Sequence, residues 1–223
     1  MTPSFYEMVF ILGAGGFAKE VAWVLKENRC SRLFYLSDDP EQRGNSYCWG
    51  TVVGSIEDHF NPLPDYAQKL YICGVGSPSL KRRFVGRVQT EDTSAKWAGP
   101  VVHPSVAICS SFSNVGKGTV VCANSSITCD ITIGNHVAIN LNCTIGHDVV
   151  IKDFCNLSPG VHISGHSVLE EGVDIGTGAV ILPGIHIGEN AVIGAGAVVT
   201  KDIPANSVSV GIPSRVIKLK EAE

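Results

Sequence analysis

Along the second half of the chain an aliphatic residue returns at every sixth position. The series runs Val115, Val121, Ile127, Ile133, Ile139, Ile145, Ile151, Leu157, Ile163, Leu169, Ile175, Ile181, Ile187, Ile193 and Val199 without a break. A helix would demand a period near 3.6 and a simple strand a period of 2, so neither accounts for it. A sustained period of six predicts a parallel β-helix, in which each hexad is one short strand and a corner. Three hexads make a triangular coil, so residues 18 apart stack. Fifteen hexads give five coils, and with ~4.8 Å between adjacent strands the stack is roughly 24 Å tall. The fifth place of the hexads is small or β-branched (Thr119, Ser125, Val137, Cys143, Val149, Val161, Ala179, Ala191, Ala197), as a crowded prism interior requires. The second place is often glycine (Gly116, Gly134, Gly146, Gly176, Gly188, Gly194), which predicts positive φ at the corners. Coils of this type wind left-handed, against the usual crossover rule.

The first hundred residues follow a different pattern. Residues 8–12 (MVFIL), 33–36 and 70–75 are apolar runs of strand length. Residues 17–28 place Val21, Ala22 and Leu25 at helical spacing among Lys19, Glu20, Lys26 and Glu27, and residues 79–88 form a second, basic helix. The βαβ alternation predicts a small parallel, Rossmann-like sheet. The polar stretch 89–105, with Gly99-Pro100 and His103-Pro104, marks a boundary. The expected organisation is a βαβ domain over 1–100, a left-handed β-helix over 101–206 and a capping tail over 207–223, since a solenoid needs covered ends.

Of the 223 residues 24 are glycine, and the net charge of −4 argues against a nucleic-acid partner. No apolar run is long enough to span a bilayer, and the N-terminus lacks the features of a secretory signal. The eight cysteines contain no C-x-x-C pair, which argues against a zinc site or a disulfide framework. Cys143 and Cys155, at fifth places, read as small fillers in a reduced cytoplasm.

Two stretches carry candidate chemistry. Gly13-x-Gly15-x-x-Ala18 lies between a strand and a helix, and Asp38 follows at the end of the next strand. This fits a phosphate-binding turn whose helix N-terminus holds an anion, with Asp38 accepting from a ribose or base. The motif leaves open a nucleotide sugar, a dinucleotide or a bare turn. The second stretch is Ile145-Gly146-His147-Asp148, where His147 occupies the third place of its hexad and leaves the prism at a corner. Eighteen residues later that place is Gly165, which leaves a side-chain-free surface beside the imidazole. Asp148 is placed to hold the other ring nitrogen. A general base and a solvated corner histidine both fit this pattern.

Taken together, the glycine-rich N-terminal domain, the hexads and the Ile-Gly-His-Asp stretch resemble the bacterial nucleotide-sugar acetyltransferases of the left-handed β-helix superfamily. The likeness extends to the bacillosamine-pathway UDP-4-amino-sugar N-acetyltransferases and to the viosamine and perosamine N-acetyltransferases. It implies a cytoplasmic homotrimer in polysaccharide biosynthesis, acting on a nucleotide-linked 4-amino-4,6-dideoxy sugar. Acetyl-CoA is the co-substrate, lying between neighbouring prisms, and no metal takes part. By the same resemblance His147 is the base and Asp148 its partner. Gly15, Gly16, Asp38, Gly76, Ser77 and Asn140 are substrate-binding, and Asn156, Gly165, Thr177 and Ala195 meet the coenzyme. Asn156 departs from the family, which often has a second histidine there; an amide donates a hydrogen bond but carries no titrating proton. Alternative readings are O-acetylation of sialic acid or a related sugar, and a non-catalytic nucleotide-sensing scaffold.

Overall fold

The computed structural model describes residues 6–57 and 69–220; His59, one of the seven histidines, lies outside them. The N-terminal sheet comprises β1 (Met8–Leu12), β2 (Arg32–Leu36), β3 (Ser46–Tyr47), β4 (Gly50–Gly54), β5 (Leu70–Cys73) and β6 (Lys96–Trp97), in the order β3-β4-β2-β1-β5-β6. All neighbours are parallel except the β3–β4 hairpin. β1 is buried along its whole length, which explains its unbroken apolar run. Helix α1 (Gly16–Glu27) crosses from β1 to β2, burying Ala18, Val21, Ala22, Val24 and Leu25, and α2 (Pro78–Glu91) follows β5. The expected strands and helices all form within a few residues of their anticipated bounds. The sequence reading missed β3, β4 and β6; β3 is a two-residue strand paired to β4 in a hairpin. β4 has only two apolar residues between glycines, and β6 is a Lys-Trp pair that its neighbour β5 recruits.

The β-helix begins at Val101 and has three faces, formed by sheets of eight, six and five strands. Stacked partners are 18 residues apart, as in Ile127↔Ile145↔Ile163↔Ile181. The first coil departs from this. Val102 pairs with Val121 and Ile108 with Ile127, 19 residues apart, before Val115 pairs with Ile133 at 18. One extra residue between Ile108 and Val115 therefore hides this coil from a strict count of sixes. Every aliphatic of the series except the half-buried Val115 is at most 2 % exposed. Burial of each contributes about 1.5–3 kcal/mol.

The fifth-place residues are also interior, and their polar atoms are satisfied by a repeating device. The hydroxyls of Thr119, Ser125 and Ser167 donate to the carbonyls of Gly134, Asn140 and Leu182, at 2.8, 2.9 and 3.1 Å. The thiols of Cys143 and Cys155 donate to Ser158 and Glu170 in the same way. Each acceptor lies fifteen residues ahead, at the next coil's corner, so a small donor is accommodated without an orphaned polar group. All eight cysteines are free thiols; Cys48 and Cys129 are exposed rather than interior.

The second-place glycines have a different cause from the one expected. None of them has positive φ; the left-handed residues stand at the fourth place, for example Asn124, Asp130, Asp148 and His166. A Cβ on Gly116 would lie 2.5 Å from the Gly134 backbone, and one on Gly176 would lie 2.5 Å from the Ala195 nitrogen. The next coil's backbone presses on the second place, and that contact excludes a side chain.

At the far end Ser207–Val210 pairs with Val192–Ile193 and then antiparallel with Arg215–Leu219, covering the last coil. Among the described residues no helix is long and apolar enough to cross a membrane.

The two domains share a packed seam. Lys81 of α2 is 2 % exposed and donates to the Cys155 carbonyl at 2.8 Å; burial pushes its ammonium down to about 8. Arg82 donates from Nε to Glu171 at 3.1 Å and from Nη1 to Asn190 at 2.8 Å. The His136 ring stacks on Phe154 and meets Trp97 edge-on. Burial, with the nearby Lys81 ammonium, holds its imidazole down at about 4.

That depression has a consequence for stability. Between pH 6.5 and 4 the unfolded chain takes up a proton that folded His136 refuses, so stability falls as pH drops through this window, by on the order of 3 kcal/mol. His136→Asn keeps a residue tolerant of the positive φ at this position. Urea unfolding at pH 7 and pH 4.5 is expected to show a smaller acid loss in the variant. Equal losses in both proteins would refute the assignment.

Candidate functional site

The parallel strands β2, β1 and β5 end on one edge of the sheet, which gathers the candidate nucleotide residues. Gly13 has φ +100° and donates its N–H to Leu36 at 2.8 Å, closing the turn after β1. Gly15 caps α1 with no side chain, and a Cβ built on Gly15 or Gly16 meets nothing within 4 Å. No side chain caps the first turn of α1 and nothing crowds its glycines, an arrangement that suits an anion at a helix N-terminus. The loop after β5 supplies Gly76 and Ser77; Ser77 caps α2, its Oγ accepting from the Leu80 N–H at 3.4 Å. This edge lies where the connections from β1 and β5 diverge, the position at which open α/β sheets bind ligands.

Asp38 follows β2 at the same edge, but its carboxylate is already engaged. Arg87 of α2 donates from Nη1 and Nη2 to both of its oxygens, at 2.5 and 3.0 Å, and also grips Glu57. The Arg87 guanidinium holds the Asp38 carboxyl below its ordinary range. Asp38 also accepts from the Ile56 backbone N–H, so the two Arg87 bonds and this one leave room for a further hydroxyl or N–H donor on the carboxylate.

On the β-helix, His147, Asp148 and Gly165 come together at one edge of the prism. The His147 Nδ1 lies 2.7 Å from Asp148 Oδ2. An ionised carboxylate only accepts, so in the neutral ring Nδ1 carries the proton and Nε2 presents its lone pair. The ring lies across Gly165, where a Cβ would stand 2.6 Å from His147 Cε1 and 2.7 Å from Nε2. Among the described residues the Gly165 amide has no backbone carbonyl partner. His147 and Asp148 are 57 % and 46 % exposed, so the pair faces out of the prism.

The structure adds His166, which the sequence reading passed over. Its ring meets that of His147 edge-on, with centroids 4.9 Å apart, and its Nδ1 lies 3.7 Å from Asp148 Oδ2. The signal was present: His166 is 18 residues beyond Asp148 and so stacks over it. Asp174 was missed too, although it stands 18 residues beyond Asn156 and stacks on it in the same way; Arg87 was missed because only tertiary packing links it to Asp38.

The remaining candidates lie elsewhere. Thr177 and Ala195 stack at the next edge of the prism, linked by the Gly196 N–H to the Thr177 carbonyl at 2.8 Å. Asn140 heads the same edge, its Oδ1 accepting from the Leu141 N–H. Asn156 points from the strand between Phe154 and Ser158 into the domain seam. Its Nδ2 donates to Asp174 at 2.8 Å, and a Cβ on Gly76 would stand 3.3 Å from its Oδ1. It thus touches the loop after β5 rather than His147. A cleft of about 130 Å³ continues from this point between Ser77, Arg82, Asp174 and Lys220.

Comparison with known proteins fits this two-part arrangement. Residues 8–88 match the PglD N-terminal domain family, and residues 166–201 match the bacterial transferase hexapeptide family (six repeats). The chain is similar to the acetyltransferase domain of PglB from Neisseria gonorrhoeae FA1090, solved with acetyl coenzyme A. The identity is 26%, the TM-score 0.86, and the alignment covers 95% of this chain and 100% of that one. It is similar to a mutant of perosamine N-acetyltransferase from Caulobacter crescentus, solved with CoA and GDP-perosamine, at 25% identity and TM-score 0.83 over 94% and 96% of the two chains. It is also similar to WeeI from Acinetobacter baumannii AYE, at 26% identity and TM-score 0.83 over 96% and 100%. No curated protein matches the chain significantly. The chain thus joins a segment that matches the PglD N-terminal domain to one that matches the bacterial transferase hexapeptide repeat, and it is similar over nearly its whole length to solved acetyltransferase structures of that two-part kind.

Proposed function

We propose that the chain is an N-acetyltransferase that moves the acetyl group of acetyl-CoA to the amine of a nucleotide-linked 4-amino-4,6-dideoxy sugar. The coarser statement, that it is an acyltransferase using a CoA thioester, rests on the two domain matches and on the likeness to CoA-bound solved structures. The observation that carries the finer one is the oriented His147–Asp148 pair over Gly165, in a chain whose N-terminal sheet opens an anion-binding edge.

The neutral sugar amine attacks the thioester carbonyl, and an N–C bond forms. The attacking nitrogen becomes acidic, and Nε2 of His147 accepts its proton while Nδ1–H stays on Asp148. The Gly165 amide donates to the oxyanion. Collapse breaks the C–S bond and releases CoA as the thiol with the proton taken from the amine. No covalent enzyme intermediate is required, and holding both substrates in line supplies much of the rate. The nucleotide sits on the Gly15–Gly16 turn with Asp38 on its ribose or base.

The base stands at one edge of the prism, and Thr177 and Ala195 stand at the next. This separation supports a homotrimer in which the coenzyme lies in a groove between two copies. The eight free thiols support a cytoplasmic setting.

The test is a screen of UDP-, dTDP- and GDP-linked 4-amino sugars with acetyl-CoA, read by mass spectrometry. One of them is expected to gain a single acetyl group on nitrogen. Acetylation confined to hydroxyl acceptors such as sialic acid would replace the N-transfer reading, and tight nucleotide binding with no CoA release from any acceptor would replace the enzyme reading.

A further inference from the structure

We propose that His147, Asp148 and His166 form a binding site for a transition-metal dication of the zinc type, and that occupancy shuts off the base. No C-x-x-C pair or histidine motif announces such a site, because its ligands come from two successive coils. One ligand atom from each of the three side chains lies within 4.8 Å of the others. A tetrahedral zinc ion with bonds of about 2.0–2.2 Å holds neighbouring ligand atoms roughly 3.3 Å apart. The Nδ1 atoms of His147 and His166 stand 2.7 and 3.7 Å from the same Asp148 oxygen, bracketing that value. Small rotations of three exposed side chains complete the set, and the fourth position faces solvent. Two imidazoles and a carboxylate suit zinc, nickel or copper and do not suit magnesium.

The consequence follows from the proton on His147. An ion on Nδ1 takes the place of the proton shared with Asp148, and that proton moves to Nε2. The nitrogen that would accept the amine's proton then carries one of its own. The ion is thus a reversible inhibitor rather than a cofactor. The binding claim stands on geometry alone; the inhibition claim rests on His147 being the base.

The test titrates the purified full chain with zinc against a chromophoric chelator, in parallel with His166→Ala, which keeps every thiol. Magnesium serves as the control ion. The wild type is expected to bind one zinc per protomer that His166→Ala binds at least about tenfold more weakly. The fraction of turnover lost to zinc, relative to each protein's zinc-free rate, is expected to follow that occupancy. Equal zinc stoichiometry and affinity in the two proteins would overturn the site. Selective binding in the wild type with turnover untouched would uphold the site and overturn the base assignment instead.

Discussion

His147→Ala is expected to lower kcat by about 10²-fold or more while leaving both KM values within a few-fold. The imidazole stands outside the prism at 57 % exposure and makes its polar contact with Asp148. Removing it opens no interior cavity, so the melting temperature is expected to stay close to wild type. The proton released as the N–C bond forms would then pass to water, in a geometry no residue organises. Binding energy from the nucleotide and from coenzyme A is unaffected, which is why the loss belongs to kcat. Steady-state kinetics at saturating concentrations of both substrates, with a thermal melt of the same preparation, checks this. Near-normal turnover by a folded variant would remove His147 from the mechanism.

Asp38→Ala is expected to raise KM for the sugar nucleotide by about tenfold or more, with the KM for acetyl-CoA unchanged. A hydrogen bond to a charged group contributes about 1.5–3 kcal/mol, and about 1.4 kcal/mol is a factor of ten. The structure sharpens the reason. Arg87 and Glu57 remain paired when Asp38 is lost, so the edge keeps its shape but loses one negative charge and one acceptor. A ribose hydroxyl or base N–H loses its acceptor, while a phosphate on the α1 amides does not. Asp38→Asn, which keeps an acceptor oxygen but not the charge, is expected to fall between the two. Equal rises in both KM values for Asp38→Ala would show that this edge does not hold the nucleotide.

The site was legible in parts. The His147–Asp148 pair and its place over Gly165 were readable because the 18-residue coil converts sequence spacing directly into stacking. The same arithmetic applied to Asp148 would have found His166. The Asp38–Arg87 pair was not readable, because it joins the end of β2 to a helix 49 residues away. Nor was the approach of Asn156 to Gly76, which joins the β-helix to a loop of the other domain.

The β-helix was determined by the sequence alone. Its repeat is local: each hexad makes the same strand and corner, and an aliphatic at every sixth place has one interior to enter. The first βαβ unit was likewise settled locally, by one buried apolar strand, a glycine turn and an amphipathic helix. Tertiary structure decided what depends on a neighbouring coil or on the other domain. The second-place glycines answer to the backbone of the coil above rather than to their own φ. The extra residue in the first coil is visible only as a shifted pairing. The buried Lys81 and His136 take their properties from a seam between segments distant in the chain. Desolvation and close contact act through space, and a linear pattern records them only where the chain repeats with the period of the structure.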